Sequence, residues 1–179
     1  FTGTPDALVA GQGGYFDIML DDNFATNQVV YLSFAWGTLD ANATRIVKAR
    51  LSDTGFEDAE VLFTVSPTKG GSAHYGGKMA QLSDETIVLS TGDGFDYREA
   101  SQDKFSQLGK IIRLNKDGSA SLDNPFANGE TGNPFVWSYG HRNTQGLVVD
   151  KATNTIYNHE HGPQGGDEIN LVEKAKNYG

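Results

Sequence analysis

Eleven short runs of apolar or alternating residues, each bounded by Gly, Pro, Asn or Asp, account for most of the chain between Tyr15 and Val172. They are Tyr15 to Leu20, Val29 to Trp36, Thr44 to Leu51, Glu60 to Val65, Lys78 to Leu82, Thr86 to Ser90, Lys110 to Asn115, Phe135 to Tyr139, Gly146 to Asp150, Thr155 to His159 and Glu168 to Val172. Alternation with period two sends successive side chains to opposite faces of an extended backbone, and the runs have strand length rather than helix length. No stretch carries the periodicity of an amphipathic helix, so the fold is expected to be all-β. The 22 glycines among 179 residues exceed the usual share of about 7%, as a fold rich in tight turns requires. Turn formers in Leu82 to Thr86, Asn115 to Ser119 and Asp150 to Thr155 predict hairpins. Antiparallel strands recurring with a beat of about 40 to 50 residues suggest propeller blades, of which two or three cannot close a ring. Ser66 to Gly77 and Gly92 to Gly109 read as long loops, the kind that carries function in a compact domain. Nothing after Gly179 closes the last element, so residues 1–179 are expected to be one partial domain, truncated at both ends.

The formal net charge is −9, and Lys and Arg nowhere form a run, which argues against a nucleic-acid groove. The absence of cysteine excludes disulfides, thiolate zinc sites and cysteine nucleophiles. No window of about 18 apolar residues is long enough to span a membrane. Asn42-Ala43-Thr44 matches a glycosylation sequon and is taken as chance. There is no Gly-x-Gly-x-x-Gly between strand and helix, no P-loop, no Gly-x-Ser-x-Gly and no His-Glu-x-x-His, so Rossmann-type nicotinamide binding, phosphoryl transfer and serine hydrolysis lose ground.

Chemistry-bearing residues concentrate in four loops. His74 opens His-Tyr-Gly-Gly, where the glycines permit close approach of backbone or ligand; an ordinary surface histidine is the plain alternative. His141-Arg142-Asn143 follows Trp-Ser-Tyr-Gly and puts a planar cationic fork beside an amide, suited to a carboxylate or quinone oxygen, or to a salt-bridged turn. His159 and His161 stand two apart, on one face of a strand, which makes zinc conceivable, but no third ligand is evident. The loop Gly162 to Glu168 offers carbonyls near Gly162 and Pro163 with the carboxylates of Asp167 and Glu168, a hard oxygen set that fits calcium better.

Eight motifs then occur in one order: Gly11-Gln-Gly-Gly-Tyr-Phe-Asp17, His74-Tyr-Gly-Gly77, Thr91-Gly-Asp93, Leu108-Gly-Lys-Ile-Ile-Arg-Leu114 with Asp117-Gly118, Asp123-Asn-Pro-Phe126, Trp137-Ser-Tyr-Gly-His-Arg-Asn143 with Gln145-Gly146, His161-Gly-Pro163 with Gly166-Asp-Glu-Ile-Asn170, and Asn177-Tyr-Gly179. In these the chain resembles the glucose/sorbosone dehydrogenase family, soluble aldose sugar dehydrogenases that use pyrroloquinoline quinone (PQQ). The resemblance implies a six-bladed β-propeller, of which this chain is roughly the N-terminal half, with the quinone over the top face of the central channel.

It also implies roles. His74 is expected to be the base that takes the anomeric hydroxyl proton while hydride passes to the quinone, the aldose leaving as a lactone. Gln12, His74, Asp93, Arg142, Asn143 and His161 are expected to hold the cofactor, with Arg142 stabilising charge on it. The carbonyls of Gly162 and Pro163 are the implied ligands of a calcium that polarises the quinone, and Glu168 with the Tyr178 carbonyl those of a second, structural calcium. An external electron acceptor and a periplasmic or secreted location follow from the family; the sugar, the acceptor and the oligomeric state do not follow from the sequence. A calcium-stabilised, non-catalytic propeller binding module is the rival reading, disfavoured by the joint presence of His74, Arg142 and Asn143. A metal-dependent propeller hydrolase fits less well still, since the Gly-Pro carbonyl site differs from a ring of carboxylate and amide ligands.

Overall fold

The computed structural model describes all 179 residues, and eleven strands appear where the alternation predicts them. Strands β1 (Tyr15–Leu20), β2 (Val29–Gly37), β3 (Asn42–Leu51) and β4 (Phe56–Thr64) form the first sheet; β5 (Gly76–Gln81), β6 (Ile87–Thr91), β7 (Lys110–Leu114) and β8 (Val136–Tyr139) the second; β9 (Thr144–Asp150), β10 (Thr155–Glu160) and β11 (Glu168–Val172) the third. Every sheet is an antiparallel meander whose strands neighbour one another in chain order. The all-β expectation holds; Phe24–Asn27 and Arg98–Ser101 are the only helical turns. No helix is long and apolar enough to cross a membrane.

Core formation follows from the alternation. In β2, Tyr31 packs into the cluster between the first and second sheets, whereas Val30 and Leu32 turn to a smaller cluster on the other face. The second sheet is buried on both faces: Ile87, Leu89, Ile112 and Leu114 face the first sheet, while Val88 and Ile111 meet Ile156 and Val172 of the third. A strand covered on both sides needs apolar residues at every position, and this explains the continuous Ile-Val-Leu of β6 and Ile-Ile of β7. Leu89 is fully buried between two sheets, so Leu89→Ala is expected to destabilise the fold by about 2–5 kcal/mol, measurable as a lowered urea midpoint with an unchanged slope.

One local expectation changes, and the reading of the Asn42 sequon as chance holds. Asn115 to Ser119 forms a tight turn, but the returning chain makes a single bridge, Leu114 with Ala120, and then runs as irregular loop to Phe135 because Asn124 ties it down by donating to the carbonyls of Arg113 and Pro134. The sequon Asn42 is fully buried and donates to the carbonyls of Thr38 and Gly71, which leaves its amide nitrogen inaccessible to a glycan.

Candidate active site

The two long loops, Val65 to Tyr75 and Gly92 to Gly109, meet at one end of the second sheet. His74 sits at the mouth of β5 with φ +50°, a conformation uncommon for a side-chain-bearing residue and one that marks sites where geometry outweighs backbone comfort. Its N–H donates to Gln12 Oε1 at 2.8 Å, and its carbonyl accepts from Gly94 at 3.2 Å. A Cβ at Gly92 would lie 2.1 Å from the His74 carbonyl oxygen, so only glycine lets the second loop approach this closely.

That approach delivers Asp93. Its Oδ1 lies 2.6 Å from His74 Nδ1 and also accepts the Phe95 N–H at 2.8 Å, with both side chains of the pair almost fully buried. Accepting at Nδ1 fixes the tautomer that leaves Nε2 with a free lone pair. Phe95, at φ +69°, sets its ring edge-on to the imidazole at 5.1 Å and is half exposed. Asp93 thus contacts the His74 imidazole and Gln12 its backbone N–H, while both also line cavities beside the pair.

Arg142 and Asn143 join from the loop between β8 and β9. The Asp93 N–H donates to the Arg142 carbonyl at 2.8 Å, which ties the two loops together. Behind Arg142 lies a second buried pair, His141 Nδ1 to Glu160 Oε1 at 2.8 Å, and Glu160 Oε2 accepts the Arg142 N–H at 2.5 Å. Burial works against ionising Glu160, but the His141 bond and charge, the Arg142 N–H and Asn158 outweigh it and hold the carboxyl below its usual range. Tyr178 stacks on His141 at 4.9 Å between ring centroids. The sequence reading missed Glu160. The signal was available in β10, where Ile156, Asn158 and Glu160 share the buried face and His159 the outward one.

Three cavities border these residues. One of about 530 Å³ is lined by Asp93, Phe95, Arg98, Ser101, Gly140, Arg142, Pro163 and Gln164; one of about 140 Å³ by Gln12, Phe16, Tyr75, Gly76, Asn143, Gln145 and His161. A third, of about 180 Å³, gathers Gly162, Pro163, Glu168 and Tyr178 with Arg142, Glu160 and His161. All the expected cofactor and metal residues line one of these cavities, except His74, which lines none of them and packs against Phe95. His159 is elsewhere, on an apolar cavity of about 330 Å³ on the outward face of the third sheet, and it shares no ligand set with His161.

The donors suit the two implied groups. Arg142 Nη1 donates to the His161 carbonyl at 3.0 Å and the remainder of its fork is unpaired, leaving donors for carboxylate or quinone oxygen beside the amides of Gln12, Asn143 and Gln145. No three His, Asp or Glu side chains cluster tightly enough to hold a metal. A cation in the third cavity therefore depends on carbonyls as well as the Glu168 carboxylate, an oxygen-only set of the calcium type.

Comparison with known proteins places the chain as a whole. The profile of the family described as "Glucose / Sorbosone dehydrogenase" matches residues 1–179. Aldose sugar dehydrogenase YliI of Escherichia coli is 35% identical over 99% of this chain and 48% of its own length. A solved glucose dehydrogenase superimposes with a TM-score of 0.94 at 37% identity, covering 99% of this chain and 52% of that one. The PQQ-bound aldose sugar dehydrogenase of Streptomyces coelicolor superimposes with a TM-score of 0.84 at 32% identity over 98% of this chain and 50% of that one. The chain spans about half the length of the relatives it matches.

Proposed function

This chain belongs to the glucose/sorbosone dehydrogenase family, and from that premise we propose that it is part of a PQQ-dependent dehydrogenase that oxidises the anomeric carbon of an aldose to a lactone. The observation that carries the proposal is the meeting of the His74–Asp93 pair with Arg142 and Asn143, from three separate loops, beside two polar cavities. The two four-stranded meanders and the third sheet are three blades of a six-bladed propeller, with residues 1–179 as roughly its N-terminal half. Periplasmic or extracellular action completes the reading, with an external electron acceptor.

Asp93 holds the imidazole by its Nδ1–H, so His74 accepts the anomeric hydroxyl proton at Nε2. Removing that proton pushes electron density onto the sugar oxygen and drives hydride from the anomeric carbon. A bound PQQ supplies the two-electron acceptor for that hydride. Gln12, Asn143 and His161 orient the ligand through donors on the smaller cavity, and Arg142 presents fixed positive charge to anionic oxygen, stabilisation that needs no reorganisation during reaction. Phe95 packs edge-on against His74 and lines the larger cavity, where its ring shields the imidazole from water.

In this reading the Gly162 and Pro163 carbonyls would hold a calcium at the quinone, and Glu168 with the Tyr178 carbonyl a second, structural calcium. Calcium added back to chelated protein is expected to raise the melting temperature by linkage; no shift after thorough chelation and re-addition counts against the metal. The functional test is dye reduction across a panel of aldoses by the full-length polypeptide reconstituted with PQQ and calcium. Turnover that needs both additives supports the dehydrogenase. Absence of turnover together with absence of quinone binding moves the weight to a non-catalytic binding module.

A further inference from the structure

Three cations are buried, and of these Lys110 and Arg113 are hydrogen-bonded whereas the Lys69 ammonium is not. Lys69 is 3% exposed, yet its Nζ has no hydrogen-bond partner, an expensive arrangement for an ammonium group. Backbone geometry leaves little freedom: Lys69 N–H and carbonyl both pair with Asn42 at 2.8 Å, which anchors the residue to the start of β3. The stem then runs under the second loop, so that a Cβ at Gly94 would come within 2.6 Å of Lys69 Cδ. Nζ ends 3.9 Å from the centre of the Tyr75 ring, next in sequence to His74. Tyr97 closes the layer by accepting the Gly70 N–H at 2.9 Å.

The charges near this ammonium belong to the His74 site. Asp93 and Asp96 act on it electrostatically, Tyr75 lies beneath it, and Arg98 and Arg142 line the larger cavity together with Asp93. Asp93 is a buried carboxylate with two N–H donors, His74 and Phe95, and a buried carboxylate is held ionised only by compensating charge or hydrogen bonds. We propose that Lys69 is a positioning residue whose ammonium, held over Tyr75 and under the Asp93–Gly94 turn, supplies positive charge beneath the His74–Asp93 pair and thereby keeps the His74 ring in its working tautomer. Cation–π attraction to Tyr75 holds the ammonium in place without supplying a competing acceptor. Burial pulls Lys69 down to about 8, against the opposing pull of Asp93 and Asp96, so the counter-charge is present at neutral pH and disappears in mildly alkaline solution.

The inference rests on the dehydrogenase reading for its catalytic consequence but not for its structural one, and two measurements on the full-length polypeptide separate them. In protein without quinone, the proton of the 2.6 Å His74–Asp93 bond is expected as a far-downfield NMR resonance near neutral pH in wild type and Lys69→Arg, and weakened or displaced in Lys69→Met. In the reconstituted enzyme, Lys69→Met is expected to lower kcat about tenfold at unchanged KM, the size of one interaction between partly screened charges. Lys69→Arg is expected to restore kcat and to remove the wild-type alkaline decline centred near the Lys69 value of about 8, because guanidinium stays charged. Lys69→Met replaces the ammonium by an apolar chain of similar length, so the melting temperature of both variants is measured alongside and the kcat comparison is made well below it. An unchanged resonance in Lys69→Met overturns the proposal whatever the enzyme does. So does a kcat loss that merely follows a fall in stability, or one that Lys69→Arg fails to rescue. A displaced resonance in a protein that oxidises no sugar upholds the placement of Lys69 and removes the dehydrogenase reading instead.

Discussion

His74→Ala is expected to abolish sugar-dependent dye reduction while leaving quinone binding largely intact. The two effects separate because the donors facing the cavities belong to other residues: Arg142, Asn143, Gln12 and Gln145 line that space and His74 does not. What the substitution removes is a proton acceptor whose orientation is already set by Asp93 at 2.6 Å, and a positioned base contributes about a hundredfold to ten-thousandfold. Asp93→Asn is the informative companion. It keeps the shape but offers the ring an amide that can donate to Nδ1, which favours the tautomer with its proton on Nε2, so kcat is expected to fall while quinone affinity holds. Steady-state dye reduction and a quinone titration on the same preparations decide the matter. A His74→Ala protein that still turns over at near wild-type rate removes His74 as the base.

Glu160→Ala is expected to cost about 3–5 kcal/mol of stability, because truncating one partner of a buried pair strands the other. Four groups lose the Glu160 carboxylate at once: the fully buried His141 imidazole, the Arg142 N–H and the amides of Asn158 and Asn170. Set against a total stability of about 5–15 kcal/mol for an ordinary domain, such a loss lies near the limit of folding. The pH dependence has a definite sign. Glu160 is held below its usual range in the folded chain, so its stabilisation is fully present above the unfolded carboxyl value of about 4.3 and is lost as pH falls through the lower folded value. The difference between wild type and Glu160→Ala in urea unfolding is therefore expected to be constant from pH 7 to 5 and to shrink below pH 4. A difference that persists unchanged in acid assigns the loss to packing rather than to the ionised pair. Because Arg142 hangs from Glu160 by its backbone, weakened quinone affinity should accompany the stability loss.

Much of the architecture was readable before any coordinates. Each of the eleven runs became a strand because burial of one face, or of both in β6 and β7, imposes a pattern that neighbouring residues carry themselves. Residues of the site were legible where turn chemistry marks them: His74 before two glycines, Arg142 and Asn143 after Gly140, Asp93 between Gly92 and Gly94. Their partnerships were not. Asp93 and His74 lie 19 residues apart, and their contact depends on a glycine, Gly92, whose missing Cβ makes room for a carbonyl on the other loop.

The sequence by itself determined the strand count, the all-β class, the family and the loops that carry chemistry, since these follow from local alternation, turn residues and ordered motifs. Only the tertiary structure decided which charges are buried together. Glu160 was hidden between two conspicuous histidines, and Lys69 within a glycine-rich loop that reads as solvent-exposed. Whether a charge is covered depends on what packs over it from elsewhere in the chain, the third sheet's partners for Glu160 and the Gly92 to Gly109 loop for Lys69, and a local pattern holds no record of that cover.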